Sequence, residues 1–278
     1  MRLIFIAFLV SSVSFGQKQY QKTYYDNGNL MEEGWLLNGK KSEFWKFYYS
    51  NGNLKAEGHY KNGIKVDYWK TFYSNTNLQT EGHLENDKQT GFWRYYYDNK
   101  QLKKEGHFVN GNLSQHWSFY HKNGVLQTRG IFINGKRTGY WKIYYDNQSL
   151  EKRGEFVNNK EDGYWQFYHN NGQLEKDGQF KLGKLNSYWQ FYARNGKKTS
   201  EGHFVNGKKQ NWWLFYDDNE KINHKCQLSN NQKNGYCLKY KNEELYSAIK
   251  YENGKRIKEW TDLKSFKKEN KLSDLRSK

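Results

Sequence analysis

The sequence predicts an all-β fold: an elongated single-sheet antiparallel β-meander built from 24-residue two-stranded (β-hairpin) repeats. Three observations predict it. Tryptophan stands at Trp45, Trp69, Trp93, Trp117, Trp141, Trp165, Trp189 and Trp213, always 24 residues apart. Glycine follows thirteen residues after the first seven of these, at Gly58, Gly82, Gly106, Gly130, Gly154, Gly178 and Gly202. Within each unit Asn-Gly or a variant of it separates two short alternating runs, which is the strongest short-range hairpin signal. The 278 residues contain no proline and 19% aromatics. That composition suits rings displayed on pleated strands better than a large aliphatic core.

The elements follow in order. Residues 1–16, "MRLIFIAFLVSSVSFG", read as a signal peptide: Arg2, an apolar run from Leu3 to Val10, then small residues at Ser14 and Gly16. Cleavage is expected near Gly16/Gln17, with export to the periplasm, the cell envelope or the medium. The run is too short to span a bilayer, and no later segment is expected to be transmembrane. Residues 17–44 keep the pattern without its tryptophan (Tyr24, Asn27-Gly28, Leu30, Gly34) and read as a capping repeat. Eight full repeats occupy 45–236. Residues 237–251 are a degenerate capping repeat, as a stacked array requires at its end. Residues 252–278 abandon the period. They read either as a basic tail or as a short capping helix, N-capped by Thr261 or Asp262 and carrying Leu263 and Phe266.

Turn lengths predict register. A two-residue turn at Asn51-Gly52 would set Trp45 opposite Gly58, and a four-residue loop from Asn62 to Lys65 would set Gly58 opposite Trp69. Each glycine then lies between two indoles that cover its bare backbone. Gly139 would leave room for Phe132. Cys226 stands in a glycine place and Cys237 in the next tryptophan place. The register sets them face to face, which in an exported chain favours a disulfide over two free thiols. One sheet face carries the tryptophans, and to cover it the sheet should curl on itself, take a cap or pair with another molecule. The other carries the remaining tyrosines with Lys, Glu and His.

The recurring "EGH" invites a metal reading, but histidines one unit apart lie two strands, about 9.5 Å, from each other. One zinc ion needs ligands at about 2.0–2.2 Å. His59 is expected between Phe44 and Tyr68, and only His107 and His116 as cross-strand neighbours. Glu57, Glu81 and Glu105 should alternate with Lys46, Lys70 and Arg94 in a charge ladder. "DNGN" at 26–29 lacks the spaced acids of a calcium loop. Nucleophile elbow, phosphate-binding loop and HExxH helix are missing from the sequence, so neither enzyme activity nor a cofactor is expected.

The unit "GYWKIYYDNQSLEKRGEFVNNKED" resembles a MORN-type repeat. It is most similar to the variant module of YwqK-family antitoxin-like proteins, with a pattern near G-x-W-x-x-Y-x-x-N-G-x-L-x-x-x-G-x-[FY]-x-N-G-K. The resemblance covers about residues 21 to 240. It implies a repeat scaffold and, from the antitoxin label, neutralisation of a partner by binding it. The net charge of +17 points to acidic proteins, anionic glycans or lipid headgroups, and export argues against nucleic acid. The expected function is an exported, non-catalytic scaffold that binds a macromolecule, foremost a protein, through an extended sheet face. Envelope polysaccharide binding by the Tyr/Lys face, an antitoxin or immunity role, and self-association through the sheet are the alternatives. The candidate binding face is Tyr120, Tyr144, His107, His116 and Arg129, where the repeat is least regular.

Overall fold

A computed structural model describes residues 17–275; the leader expected at 1–16 lies outside them. The fold is all-β, an open antiparallel meander of 21 strands with one short α-helix, Leu263–Glu269, near the C-terminus. It divides into two compact units, residues 1–101 and 102–278. The first carries the strands from Lys18–Tyr24 to Lys88–Tyr96. The second carries those from Leu102–Val109 to Lys255–Trp260, followed by the helix. Within each unit consecutive strands pair in chain order.

The tryptophan register is as read from the sequence: Trp45 pairs with Gly58 and Gly34, and Trp117 with Gly106 and Gly130. The turns that produce it are the reverse of those expected. Gly52 N–H donates to the Tyr49 carbonyl and Tyr49 N–H to Asn53, which closes a three-residue loop, Ser50-Asn51-Gly52. Asn62-Gly63 is the two-residue turn, with Lys61 paired to Ile64 and both turn residues at positive φ, 55° and 84°. That is the turn whose twist matches the flanking strands. Compensating bulges restore the offset, so the tryptophans pair as expected although each loop length was misread.

The main bulge lies just before each tryptophan. Asp67, Gln115 and Gly139 have φ of 61°, 59° and 69°. On the preceding strand His59 pairs with Val66 and Glu57 with Lys70, so Asp67 and Tyr68 are unpaired on that side. The tryptophan satisfies the carbonyls that this frees: Trp69 Nε1 donates to Val66 O (3.0 Å) and His59 O (3.2 Å). The bulge corrects two expectations. His59 meets Phe44 (ring centroids 5.0 Å) but pairs with Val66, not Tyr68. Gly139 serves the left-handed bulge and pairs with Phe156, while Phe132 pairs with Arg137.

The glycines are covered mainly from one side. A Cβ on Gly154 would meet Trp165 at 2.3 Å, and the nearest contact at Gly58 is likewise with the following tryptophan, Trp69. All eight tryptophans are at most 4% exposed. No second sheet layer is needed for this. The indoles sit on glycine backbone, and most take a ring edge-on (Phe156–Trp165, 5.0 Å, 81°) and lie under a cation, such as Lys41 over Trp45 at 4.2 Å or Lys209 over Trp213 at 4.0 Å.

Cys226 and Cys237 pair across neighbouring strands and are joined by a disulfide, buried against Trp213 and Ile249. Closing a loop this short constrains the unfolded chain by about 2–3 kcal/mol. Urea unfolding with and without dithiothreitol should show a loss of that size; equal midpoints would refute it. Leu182 occupies a turn position at φ 51° that holds Asn at the equivalent residues 158 and 206, and its side chain is exposed. Leu182→Asn should therefore stabilise the second unit by about 1 kcal/mol, read as a higher urea midpoint.

The C-terminal strand Lys255–Trp260 extends the meander beyond the capping repeat. The helix packs Phe266 on Tyr236 and Trp260, and Asp262 is its N-cap, accepting from Ser265 N–H. Leu263, expected on the packed side, is 56% exposed, because a seven-residue helix turns only Phe266 inward.

Candidate functional site

Strand alternation puts most of the remaining strand tyrosines on the face opposite the tryptophans, while Tyr60 and Tyr95 pack against Trp69 and Trp93 on the tryptophan face. On the tyrosine face the acid one residue before the glycine is gripped by hydroxyls in most of the repeats that carry one, Glu57 being an exception because Phe44 and Phe72 fill the tyrosine places. Glu33 accepts from Tyr20 (3.0 Å) and Tyr48 (2.7 Å), and Glu81 from Tyr68 and Tyr96 (2.8 Å each). In the second unit Glu105 accepts from Tyr120 (3.1 Å), Asp177 from Tyr164, and Glu201 from Tyr216 and Lys198. The expected charge ladder is present as register, Lys46 to Glu57 and Glu57 to Lys70. Where an ion pair does form along it, Arg94–Glu81, the separation is 3.9 Å. Short hydroxyl–carboxylate bonds, rather than ion pairs, do most of the holding on this face.

The clamp moves both partners' titrations. The Tyr48 hydroxyl bond holds Glu33 below the usual carboxylate range against its burial, and the Tyr20 bond adds to it. For Glu201, burial acts upward but is outweighed by bonds from Lys198, Tyr216 and Gln190, so its carboxyl is lowered. Burial, and then the bond to Glu81, push Tyr68 and Tyr96 up to about 12.

The residue just before each tryptophan is turned outward by the bulge. Phe44 and Tyr68 in the first unit and Tyr140, Tyr164 and Tyr188 in the second are 39–52% exposed. Clefts recur between successive outward residues. One is bounded by Tyr20 and Phe44 over Glu33, another by Tyr164 and Tyr188 over Asp177.

The five candidate binding residues share this outer face by strand alternation, but they do not converge on one point. His107 pairs with Ser114 and His116 with Ile131, because the bulge at Gln115 separates the two histidines expected as neighbours. Arg129 is exposed and pairs with Ser118 and Lys142. Tyr120 binds Glu105, and the Tyr144 backbone carbonyl meets His121 Nε2 at 2.9 Å. The sequence reading missed Lys142 and Arg153, the next members of the row that starts at Arg129. The signal was available: Arg replaces an acid at the position before glycine in two consecutive repeats, 129 and 153. Among the described residues no group of three or more His, Cys, Asp or Glu is placed to hold a metal ion. No helix among them is long and apolar enough to cross a membrane. At the C-terminal end a cavity of about 210 Å³ lies under the helix, lined by Leu238, Ala248, Trp260, Leu263 and Phe266 among others.

Four stretches match the family model of the MORN repeat variant: residues 20–34, 45–62, 89–110 and 161–182. Four of the repeats are thus similar to the MORN repeat variant. These stretches include both halves of the hairpin unit, and the tryptophan–glycine register recurs between them. No curated protein matches the chain. Solved structures similar to the chain include those of TcdB2-TccC3-TEV (11% identity, TM-score 0.20, covering 83% of this chain and 14% of that one). TcdB2-TccC3 aligns at 12% identity and TM-score 0.20, covering 85% and 15%. A Tc holotoxin pore of Photorhabdus luminescens aligns at 11% and TM-score 0.19, covering 83% and 15%. The chain thus spans about 14–15% of the length of the structures it matches.

Proposed function

We propose that this MORN-repeat-variant chain is an exported, non-catalytic scaffold that binds a partner protein across its tyrosine face. The observation that carries the reading is local. The face repeats an acid–tyrosine clamp; Glu57 lacks it because Phe44 and Phe72 fill the tyrosine places, but only the consecutive repeats with Arg129 and Arg153 put a cation before the glycine where acids otherwise stand. A reversal of charge confined to one stretch suits a partner with a defined local surface. Export rests on the leader sequence. An antitoxin or immunity role would use the same face and differ only in the partner.

A second reading has its own support. Outward rings recur at one-repeat intervals, about 9.5 Å, and flat rings at a regular spacing suit a polymer of sugar rings. Purified chain lacking residues 1–16 would be used as bait against envelope extract at low and at high salt, and separately on immobilised polysaccharides. Salt-resistant capture of one protein supports the first reading. Retention by polysaccharide with no protein captured selects the second.

A further inference from the structure

We infer that the outer face of strand Lys136–Tyr144, with Arg129 and Arg153 on its neighbours, is a vacant carboxylate site that takes an aspartate or glutamate side chain of a partner protein. The inference rests on the protein-binding reading above and names the chemistry of its contact.

The argument begins with the clamp. In four repeats the acid before the glycine accepts a hydroxyl from the tyrosine fifteen residues ahead (Tyr48 to Glu33, Tyr96 to Glu81, Tyr120 to Glu105, Tyr216 to Glu201). Such an acid also accepts one from the tyrosine thirteen residues behind (Tyr20 to Glu33, Tyr68 to Glu81, Tyr164 to Asp177). Applied to Tyr144, the first spacing leads to residue 129. Applied to Tyr140, the second leads to residue 153. Both are arginine. The two tyrosines of one strand therefore lose the acceptors that the repeat supplies elsewhere, and each finds a cation in the acceptor's place.

Between them stands Lys142, paired directly with Arg129 on one side and Arg153 on the other. Like charges placed directly opposite across strands are destabilising. Arg153 is held by Gln166 Oε1 at 2.7 Å, a neutral partner that leaves its charge uncompensated. The nearest acids along that strand are Glu151 and Glu155, two residues to either side, and Glu155 pairs with Tyr140 and Asp162 rather than with the arginine row. The row thus presents Tyr140, Lys142, Tyr144, Arg129 and Arg153 together, a set dominated by donors. Where tyrosines at both spacings close on one group, at Glu33 and Glu81, that group is a side-chain carboxylate, although Tyr192, at a place equivalent to Tyr144, donates to Gln190 Oε1. A carboxylate of the same kind from another protein restores the arrangement and neutralises the row.

The test uses the full chain without residues 1–16 and a glutamate-rich peptide as probe at physiological salt. Wild type should bind, and Arg129→Glu/Arg153→Glu should weaken binding at least tenfold. The same variant rebuilds the repeat's own clamp, so its melting temperature should rise, which separates loss of the site from loss of the fold. Tyr140→Phe/Tyr144→Phe should weaken binding severalfold by removing hydroxyls alone. Lys55→Glu/Lys181→Glu makes the same change of net charge elsewhere and should bind as wild type. Equal weakening by that control, an unchanged affinity in the double phenylalanine variant, or tighter binding of polygalacturonate or phosphatidylserine vesicles than of the peptide would overturn the inference. A partner captured equally by wild type and by Arg129→Glu/Arg153→Glu would overturn it while leaving the protein-binding reading intact. Failure to capture any protein would end that reading itself.

Discussion

Trp165→Ala will destabilise the second unit by about 3–5 kcal/mol, the range for deleting a large buried aromatic side chain. Trp165 has no exposed surface, stands against Gly154 and donates its Nε1 to the Glu155 carbonyl at 3.1 Å. Its loss opens a cavity and leaves a bulge carbonyl unpaired in the same step. Tyr140→Ala, half exposed on the other face, should cost less than about 1 kcal/mol. Gly154→Ala attacks the same contact from below: its Cβ would sit 2.3 Å from the indole, so the ring must move, at about 1–3 kcal/mol or more. The two sites touch, so their effects should not add. With the indole gone the new methyl has nothing to strike, and the double variant should be little worse than Trp165→Ala alone. Urea unfolding of the four proteins measures this, and strictly additive losses would disprove the glycine–indole account.

Raising the pH from 10 to 12 will unfold the tyrosine face, and the tyrosines will ionise together with the loss of structure. Tyr68, Tyr96 and Tyr188 are pushed from an ordinary 10.0 up to about 12, first by burial and then by the neighbouring carboxylates, and Tyr60, on the tryptophan face, by burial with more distant acids. Their folded values lie above the unfolded one, so the folded state holds these protons more tightly. The stability they confer is complete below pH 10 and is lost as pH rises towards 12. Solvent reaches several of these rings, so each contributes less than its shift alone implies. The acid side has the opposite sign. Glu33 and Glu201 are lowered, and what they contribute is present above about pH 4.5 and fades as pH falls. Phenolate absorbance and circular dichroism should change as one transition between pH 10 and 12. Glu81→Gln should bring the first unit's transition to lower pH. Independent titration of the tyrosines near pH 10 with the strands unchanged would contradict the clamp.

Much of this architecture was legible in the sequence because it rests on strictly repeated residue types. The 24-residue spacing of Trp45 to Trp213 fixes the unit, Asn-Gly turns fix antiparallel neighbours, and thirteen-residue Trp–Gly spacing fixes which indole covers which backbone. The left-handed residue two places before each tryptophan escaped notice. Glu43, Asp67, Gln115, Gly139 and Ser187 all fill it, and residues so different share a backbone angle without sharing any chemistry a pattern could reveal. That bulge parts His107 from His116, turns the preceding ring outward and frees the carbonyls that the indoles then take.

The sequence by itself determined the repeat, the meander and the tryptophan–glycine register, because one period and one side-chain alternation leave a single consistent pairing. Only the tertiary structure decided how the other face is bonded. A hydroxyl reaches a carboxylate on a neighbouring strand through the twist and bulges of the sheet, and these depend on every turn at once. Only against that bonding does the exchange of an acid for Arg129 and Arg153 become visible as a site, since a replaced residue signifies something only when its partners, Tyr144 and Tyr140, are known.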